Sequence, residues 1–177
     1  RCKFNYIIKI QLLTIDTKMK IGFIGLGNAG GKLANNLLKS RYKLIVMDLD
    51  PRILNKFKKK GAFLARSPKD LAEKSDVIIT CLPSPLACSK VMTAKNGVIN
   101  GLSKNKIWLE MSTTDQSEVK RIGMMVKKKG SYALDVPVSG GCHRAATGNI
   151  SIFVGGEKKI FKKVLPILKC MGRKILY

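Results

Sequence analysis

The stretch "IGFIGLGNAGGKLANNLLKS", residues 21–40, decides how the rest of the chain reads. A short apolar run leads into "GLGNAG", and apolar positions then return at helical spacing, with Ala29, Leu33 and Leu37 on one stripe. Glycine weakens strands and helices alike, so Gly25, Gly27 and Gly30 at the junction of the two require a reason beyond connection. One arrangement supplies it. In a strand–turn–helix unit, Gly25 makes the tight turn, Gly27 lets the backbone approach a pyrophosphate, and Gly30 lets the helix pack closely on the strand. The phosphates then lie at a helix N-terminus among free backbone N–H groups. Asp48 ends the next apolar run, about 20 residues on, where a carboxylate binds the adenosine ribose hydroxyls.

The same alternation continues in both directions along the chain. A strand over 43–50 is followed by a helix that Pro51 opens, since a first-turn proline loses no hydrogen bond. A short strand "AFLA" (62–65) precedes a helix capped by Ser67, and "DVIITCLP" (76–83) reads as a strand buried on both faces. In the second half, "KIWLEMS" (106–112) is a strand, and Asp115 with Glu118 has the spacing of a capping box for the helix after it. "SYALDVPVS" (131–139) reads as one strand, "SGGCHRAATGN" (139–149) as a glycine-rich loop, and "ISIFVGG" (150–156) as a strand. A helix over 157–172 and a last strand "KILY" finish the pattern. The expected fold is α/β, a Rossmann-type doubly wound, mostly parallel sheet with helices on both faces.

Composition narrows the function classes. The chain has 177 residues, 45% of them hydrophobic, enough for one well-buried domain. No apolar run approaches the roughly 20 residues of a membrane span, so no membrane partner is expected. Five cysteines without a CxxC pair and a single histidine, His143, argue against a metal site and for free thiols. A net charge of +23 attracts polyanions whatever the fold. Yet the lysine runs 58–60 and 127–129 each precede a glycine, Gly61 or Gly130, where lysine offsets the negative end of a helix dipole and glycine caps the helix. No aromatics interleave them, so no specific nucleic-acid partner is expected. His143 and Cys142 read as bystanders in a loop, and Trp108 as core. Residues 1–18 fit nothing that follows and form an extension of unclear status, read either as an organelle transit remnant or as a tail outside the fold; residues 19–177 are expected to form the dinucleotide-binding domain.

"GFIGLGNAGGKLANNL", "DVIITCLP", "EMSTTD", "LDVPVSGGCHRAATGNISIFVGG" and "LPILKCMGRKILY" occur in the order seen in the β-hydroxyacid dehydrogenases, and from Met19 to Tyr177 the chain resembles that family. The resemblance implies that Gly25, Leu26, Gly27, Asn28, Ala29 and Gly30 hold the pyrophosphate of NAD and Asp48 its adenosine ribose. It implies that Leu82 and Pro83 lie beside the cofactor, with Thr113 on the nicotinamide side, and that Ser139, Gly140 and Gly141 face a substrate carboxylate. Ala29, Ala87, Glu110 and Met111 depart from the family pattern without removing an essential group. The family's general base, a lysine in a "GxGxxxK" context, falls beyond Tyr177, as does its helical second domain. No catalytic residue is therefore expected in this chain, and the chain alone is expected to be inactive.

The activity so implied is NAD-dependent oxidation of a small hydroxyacid, 3-hydroxyisobutyrate, in valine breakdown. A reductase of tartronate or succinic semialdehyde and a non-catalytic chromatin-associated member are the alternatives. A homo-oligomer when full length is implied, and a mitochondrial location, with a cytoplasmic one as the alternative.

Overall fold

A computed structural model describes residues 19–112 and 115–177 of the chain. Its core is a seven-stranded sheet of order β3-β2-β1-β4-β5-β6-β9. The strands are β1 (Lys20–Ile24), β2 (Lys43–Met47), β3 (Phe63–Leu64), β4 (Val77–Thr80), β5 (Ile107–Glu110), β6 (Tyr132–Asp135) and, further along the chain, β9 (Gly155–Gly156). The first six run parallel, and β9 adds antiparallel to β6. The order 3-2-1-4-5-6 is that of a doubly wound dinucleotide-binding sheet, and it reverses between β1 and β4.

Side chains alternate along each strand, so one sheet builds two cores. Ile21, Phe23, Leu44, Val46, Val77, Ile79, Ile107 and Leu109 point to one face. There they meet α1 (Gly30–Lys39), α2 (Pro51–Lys59) and α7 (Lys158–Met171). Ile24, Ile45, Ile78 and Trp108 point to the other, against α3 (Pro68–Lys74), α4 (Pro85–Thr93), a short 3-10 turn at Val98–Gly101 and α5 (Gln116–Lys128). Gly22 shares that second face because α3 crosses it closely: a Cβ there would lie 2.2 Å from Leu71. Trp108 is fully buried, as its composition-level reading expects.

The helix ends follow local chemistry. Asp50, Ser67, Ser84 and Asp115 cap α2, α3, α4 and α5, each accepting a backbone N–H of the first turn. Lysines occupy the last turns of α2 and α5, and the glycines beyond, Gly61 and Gly130, have φ of +91° and +72°. The capping box at Asp115 forms only by half. Asp115 accepts from Ser117, while Glu118 turns away to pair with Arg121 at 2.7 Å.

Three expectations are corrected in the second half, the first being that residues 150–156 make one strand: they divide at Val154 into Ile150–Phe153 and Gly155–Gly156, which lie in different sheets. Residues 131–139 do not make one strand: the chain breaks after Asp135, and β7 (Val138–Ser139) joins a separate three-stranded sheet of order β10-β8-β7 with β8 (Ile150–Phe153) and β10 (Gly172–Leu176). Pro137, which cannot donate to a ladder, marks the break. The stretch 139–149 is not a loop throughout, because Gly141–Thr147 forms a short helix, α6, ended by Gly148 in the left-handed conformation.

Candidate functional site

The sheet reverses direction between β1 and β4, and there the loops leaving β1, β2 and β4 frame a cleft of about 680 Å³. The glycine-rich turn forms its floor. Gly25 has φ +93° and donates its N–H to the Met47 carbonyl at 3.1 Å, tying the turn to β2. A Cβ on Gly25 would stand 2.2 Å from the Cys81 carbonyl oxygen, and one on Gly30 would stand 2.0 Å from the Gly25 carbonyl oxygen. Gly27 differs from both. A Cβ there meets nothing within 4 Å, and its φ needs no left-handed backbone. Gly25 and Gly30 are therefore explained by packing, whereas Gly27 faces open space in the cleft.

The helix that follows is prepared for an anion. Unlike α2 to α5, α1 opens on Ala29 with no side-chain cap, and within its first turn the Gly31 N–H donates to the Gly27 carbonyl at 2.9 Å and the Lys32 N–H to the Ala29 carbonyl at 3.0 Å. A ten-residue helix whose N-terminus opens on a cleft favours an anion there through its dipole.

Asp48 closes one end of the cleft. Its Oδ2 accepts the Leu26 N–H at 2.6 Å and its Oδ1 accepts the Asp50 N–H at 2.9 Å. Each oxygen keeps a further lone pair, so the carboxylate is held in one orientation and still able to accept from a pair of hydroxyls. Leu26 itself turns into the core, and its contribution is the N–H that orients Asp48.

Toward the other end, Ala29, Cys81, Leu82 and Pro83 are shared with a smaller pocket of about 280 Å³. Met111, Ser112, Val138, Gly141, Cys142 and Ile150 complete that pocket, so Cys142 stands in its wall. Gly141 is thus brought to the cofactor cleft's far end, while Ser139 and Gly140 stand exposed just before it and do not line it. Gly140 and Gly141 have φ of +129° and +77°, a backbone that glycine permits. Thr113 lies outside the described residues. His143 is exposed on α6, away from both pockets.

The electrostatics of the floor come from one buried acid. Glu110, at the end of β5, has no exposed surface, and it accepts from Thr80, Cys88 and the Ser112 N–H. Burial, with the Glu110 and Cys142 charges adding, pushes the Cys81 thiol up to about 11. Burial and then Glu110 push Cys88 further above the usual thiol range. Asp135, opposite Glu110 in the β5–β6 register, is raised by burial first and by Glu110 second.

Several lining residues carry no signal in the sequence. Pro68, Val91 and Asn96 come from α3, α4 and the turn beyond it, and Lys90 adds a cation to the cleft wall. Nothing short of the packing of α3 and α4 against the 3-10 turn at Val98–Gly101 would have found them. Leu49, 96% exposed, lines the cleft beside Asp48 and was findable as the large apolar neighbour of that acid.

Known proteins share the sequence and fold of this chain. The chain is 41% identical over 164 residues to the mitochondrial 3-hydroxyisobutyrate dehydrogenase of Rattus norvegicus, covering 93% of this chain and 49% of the rat protein. It is 36% identical over 168 residues to a probable mitochondrial enzyme of the same name from Dictyostelium discoideum, covering 95% and 52%. The chain thus spans about half the length of the curated relatives it matches. Among solved structures, a Mycobacterium tuberculosis 3-hydroxyisobutyrate dehydrogenase with L-serine superposes with a TM-score of 0.84 at 26% identity, over 89% of this chain and 53% of that one. A variant of a Myxococcus stipitatus imine reductase in complex with NAD+ shares the fold, with a TM-score of 0.81 at 18% identity over 89% of this chain and 53% of that one. The model for the NAD binding domain of 6-phosphogluconate dehydrogenase matches residues 20–177, and the chain belongs to that family of NAD-binding domains.

Proposed function

We propose that the chain is the cofactor-binding part of a dehydrogenase that oxidises 3-hydroxyisobutyrate to methylmalonate semialdehyde with NAD, in mitochondria. The observation that carries the nucleotide reading is the bare N-terminus of α1 beside the open face of Gly27, with Asp48 fixed at the end of the same cleft. The substrate and location are supported by the rat and Dictyostelium relatives, which bear that name.

In this reading the residues from Gly25 to Gly30 hold the pyrophosphate, and Asp48 accepts both ribose hydroxyls and repels a 2′-phosphate. The far end of the cofactor then reaches Leu82 and Pro83, where the cleft meets the smaller pocket. When bound, NAD supplies the hydride acceptor. Ser139, Gly140 and Gly141 offer a hydroxyl and two backbone N–H groups to the substrate carboxylate, and the positive φ at both glycines supports that use. The base that takes the hydroxyl proton is, by the resemblance, a lysine beyond Tyr177.

Titration of the chain with NADH and NADPH, followed by nicotinamide fluorescence, tests the proposal. Saturable NADH binding with weaker NADPH binding is expected, and no NADH formation from NAD and 3-hydroxyisobutyrate by this chain alone. Preference for NADPH would refute the role of Asp48, and efficient turnover would show that the base lies within these residues.

A further inference from the structure

Burying a carboxylate without a cation is costly, so Glu110 calls for an account of what it does. Its neighbours are donors drawn from three segments. Trp108 donates its indole N–H to the Thr80 hydroxyl oxygen at 2.8 Å, which directs the hydroxyl proton of Thr80 onto Glu110 Oε2 at 2.7 Å. The Cys88 thiol of α4 donates to the same oxygen at 2.8 Å. Glu110 Oε1 accepts the Ser112 N–H at 2.7 Å, and Ser112 Oγ in turn accepts the Leu82 N–H at 2.8 Å.

This chain of bonds ends at the cleft. Ser112 lines the smaller pocket and Leu82 lines both pockets, whereas Asp48 and Gly27 belong to the larger cleft alone. The network therefore reaches the end of the site away from Asp48. A group with two acceptor oxygens satisfies all three donors at once, whereas a glutamine keeps one oxygen, so either the Ser112 N–H loses its acceptor or Thr80 and Cys88 have to turn their protons away and accept from the amide.

We propose that Glu110 is a positioning residue for the nicotinamide half of the cofactor, acting through Ser112 on the Leu82 backbone. The proposal rests on the nucleotide-binding reading above. It separates the two halves of one ligand: the adenosine and pyrophosphate contacts do not pass through Glu110, and the nicotinamide-side contacts do.

Two probes read the halves apart. ADP-ribose fills the adenosine and pyrophosphate positions and lacks the nicotinamide; NADH has both. In Glu110→Gln the Kd for NADH should rise about tenfold, about 1.4 kcal/mol, with the Kd for ADP-ribose changed by less than about twofold. Ser112→Ala, which leaves Glu110 in place and removes only the acceptor for Leu82, should show the same split at roughly three- to fivefold. It keeps the test decisive should Glu110→Gln fail to fold. Parallel weakening of both ligands, or no change in NADH binding in Ser112→Ala, would reduce Glu110 to a structural residue and overturn the proposal. If the unmodified chain bound neither ligand, the nucleotide reading would fall, and with it the half-site that Glu110 is said to order.

Discussion

Alanine at Gly27 and at Gly30 should do opposite things, and the contrast separates ligand binding from packing. At Gly30 the new Cβ would lie 2.0 Å from the Gly25 carbonyl oxygen and 3.2 Å from Cys81 Cβ. Neither neighbour is the free end of a flexible side chain, so α1 has to retreat from the β1 turn by about 1 Å or more, an overpacking cost of about 1–3 kcal/mol. At Gly27 there is no atom within 4 Å to meet and no left-handed φ to violate. Gly27→Ala should therefore leave stability unchanged or raise it by about 0.4–1 kcal/mol through the less flexible unfolded chain. Its methyl group stands where the pyrophosphate has to approach, however, and a shift of that anion away from the N–H groups of α1 should weaken NADH binding by about 10- to 100-fold, about 1.4–2.7 kcal/mol. Thermal melting of both variants beside NADH titration measures each effect. A Gly27→Ala protein that melts like the parent and binds NADH equally well would show that the open space beside Gly27 is not the phosphate site.

Asp48→Ala should narrow the gap between NADH and NADPH, and it should cost about 1–3 kcal/mol of stability because the N–H groups of Leu26 and Asp50 lose their acceptor; parallel titrations and melts check both. Glu118 is lowered from 4.5 to about 2 by its hydrogen bond to Arg121 and then to Ser89, so the stability it gives is complete above its unfolded-state pKa and is lost as pH falls toward about 2. Melts of the parent and Glu118→Gln across that range should converge at the acid end, and an unchanged difference would contradict the linkage. Burial holds Cys81 at about 11 and Cys88 higher still, so a thiol reagent at about pH 7.5 should label both slowly in the folded chain and quickly after denaturation. Binding to nucleic acid, driven by the net charge of +23, should be indifferent to sequence and collapse between about 50 and 200 mM salt; retention of one DNA sequence at the higher salt would contradict that.

The first half of the fold was legible because each signal there is local. A glycine turn, a proline at a first turn and a serine cap act on residues beside them, and Pro51, Ser67 and Gly61 stand in the structure where their chemistry puts them. The second half depends on partners far along the chain. Whether Tyr132 to Ser139 forms one strand or two depends on β8 and β9, which lie beyond it in sequence, and no local propensity encodes that choice. The helix of residues 141–147 was hidden by its glycines, which suggested a loop, although Ala145 packs into the core and fixes it, with its carbonyl accepting from Asn36 of α1 at 2.8 Å. The glycine turn and Asp48 were readable from spacing, while Pro68, Lys90 and Asn96 entered the cleft only because α3 and α4 both pack on the 3-10 turn at Val98–Gly101.

The seven-stranded sheet ends at both sides on a strand of two residues, Phe63–Leu64 at one edge and Gly155–Gly156 at the other. A sheet edge is a template for another chain only over the length of unpaired backbone it presents, and two residues present almost none. Each outermost strand of the large sheet is thus a short template, although Lys43 and Leu44 of β2 and Tyr132 and Ala133 of β6 extend past it. The three-stranded sheet is guarded differently. Its β10 edge is five residues long and carries Leu176 exposed, but Arg173 and Lys174 stand on it as exposed cations, so two copies meeting edge to edge would bring like charges together. Removing those two charges should turn that edge into the place where aggregation of this chain begins.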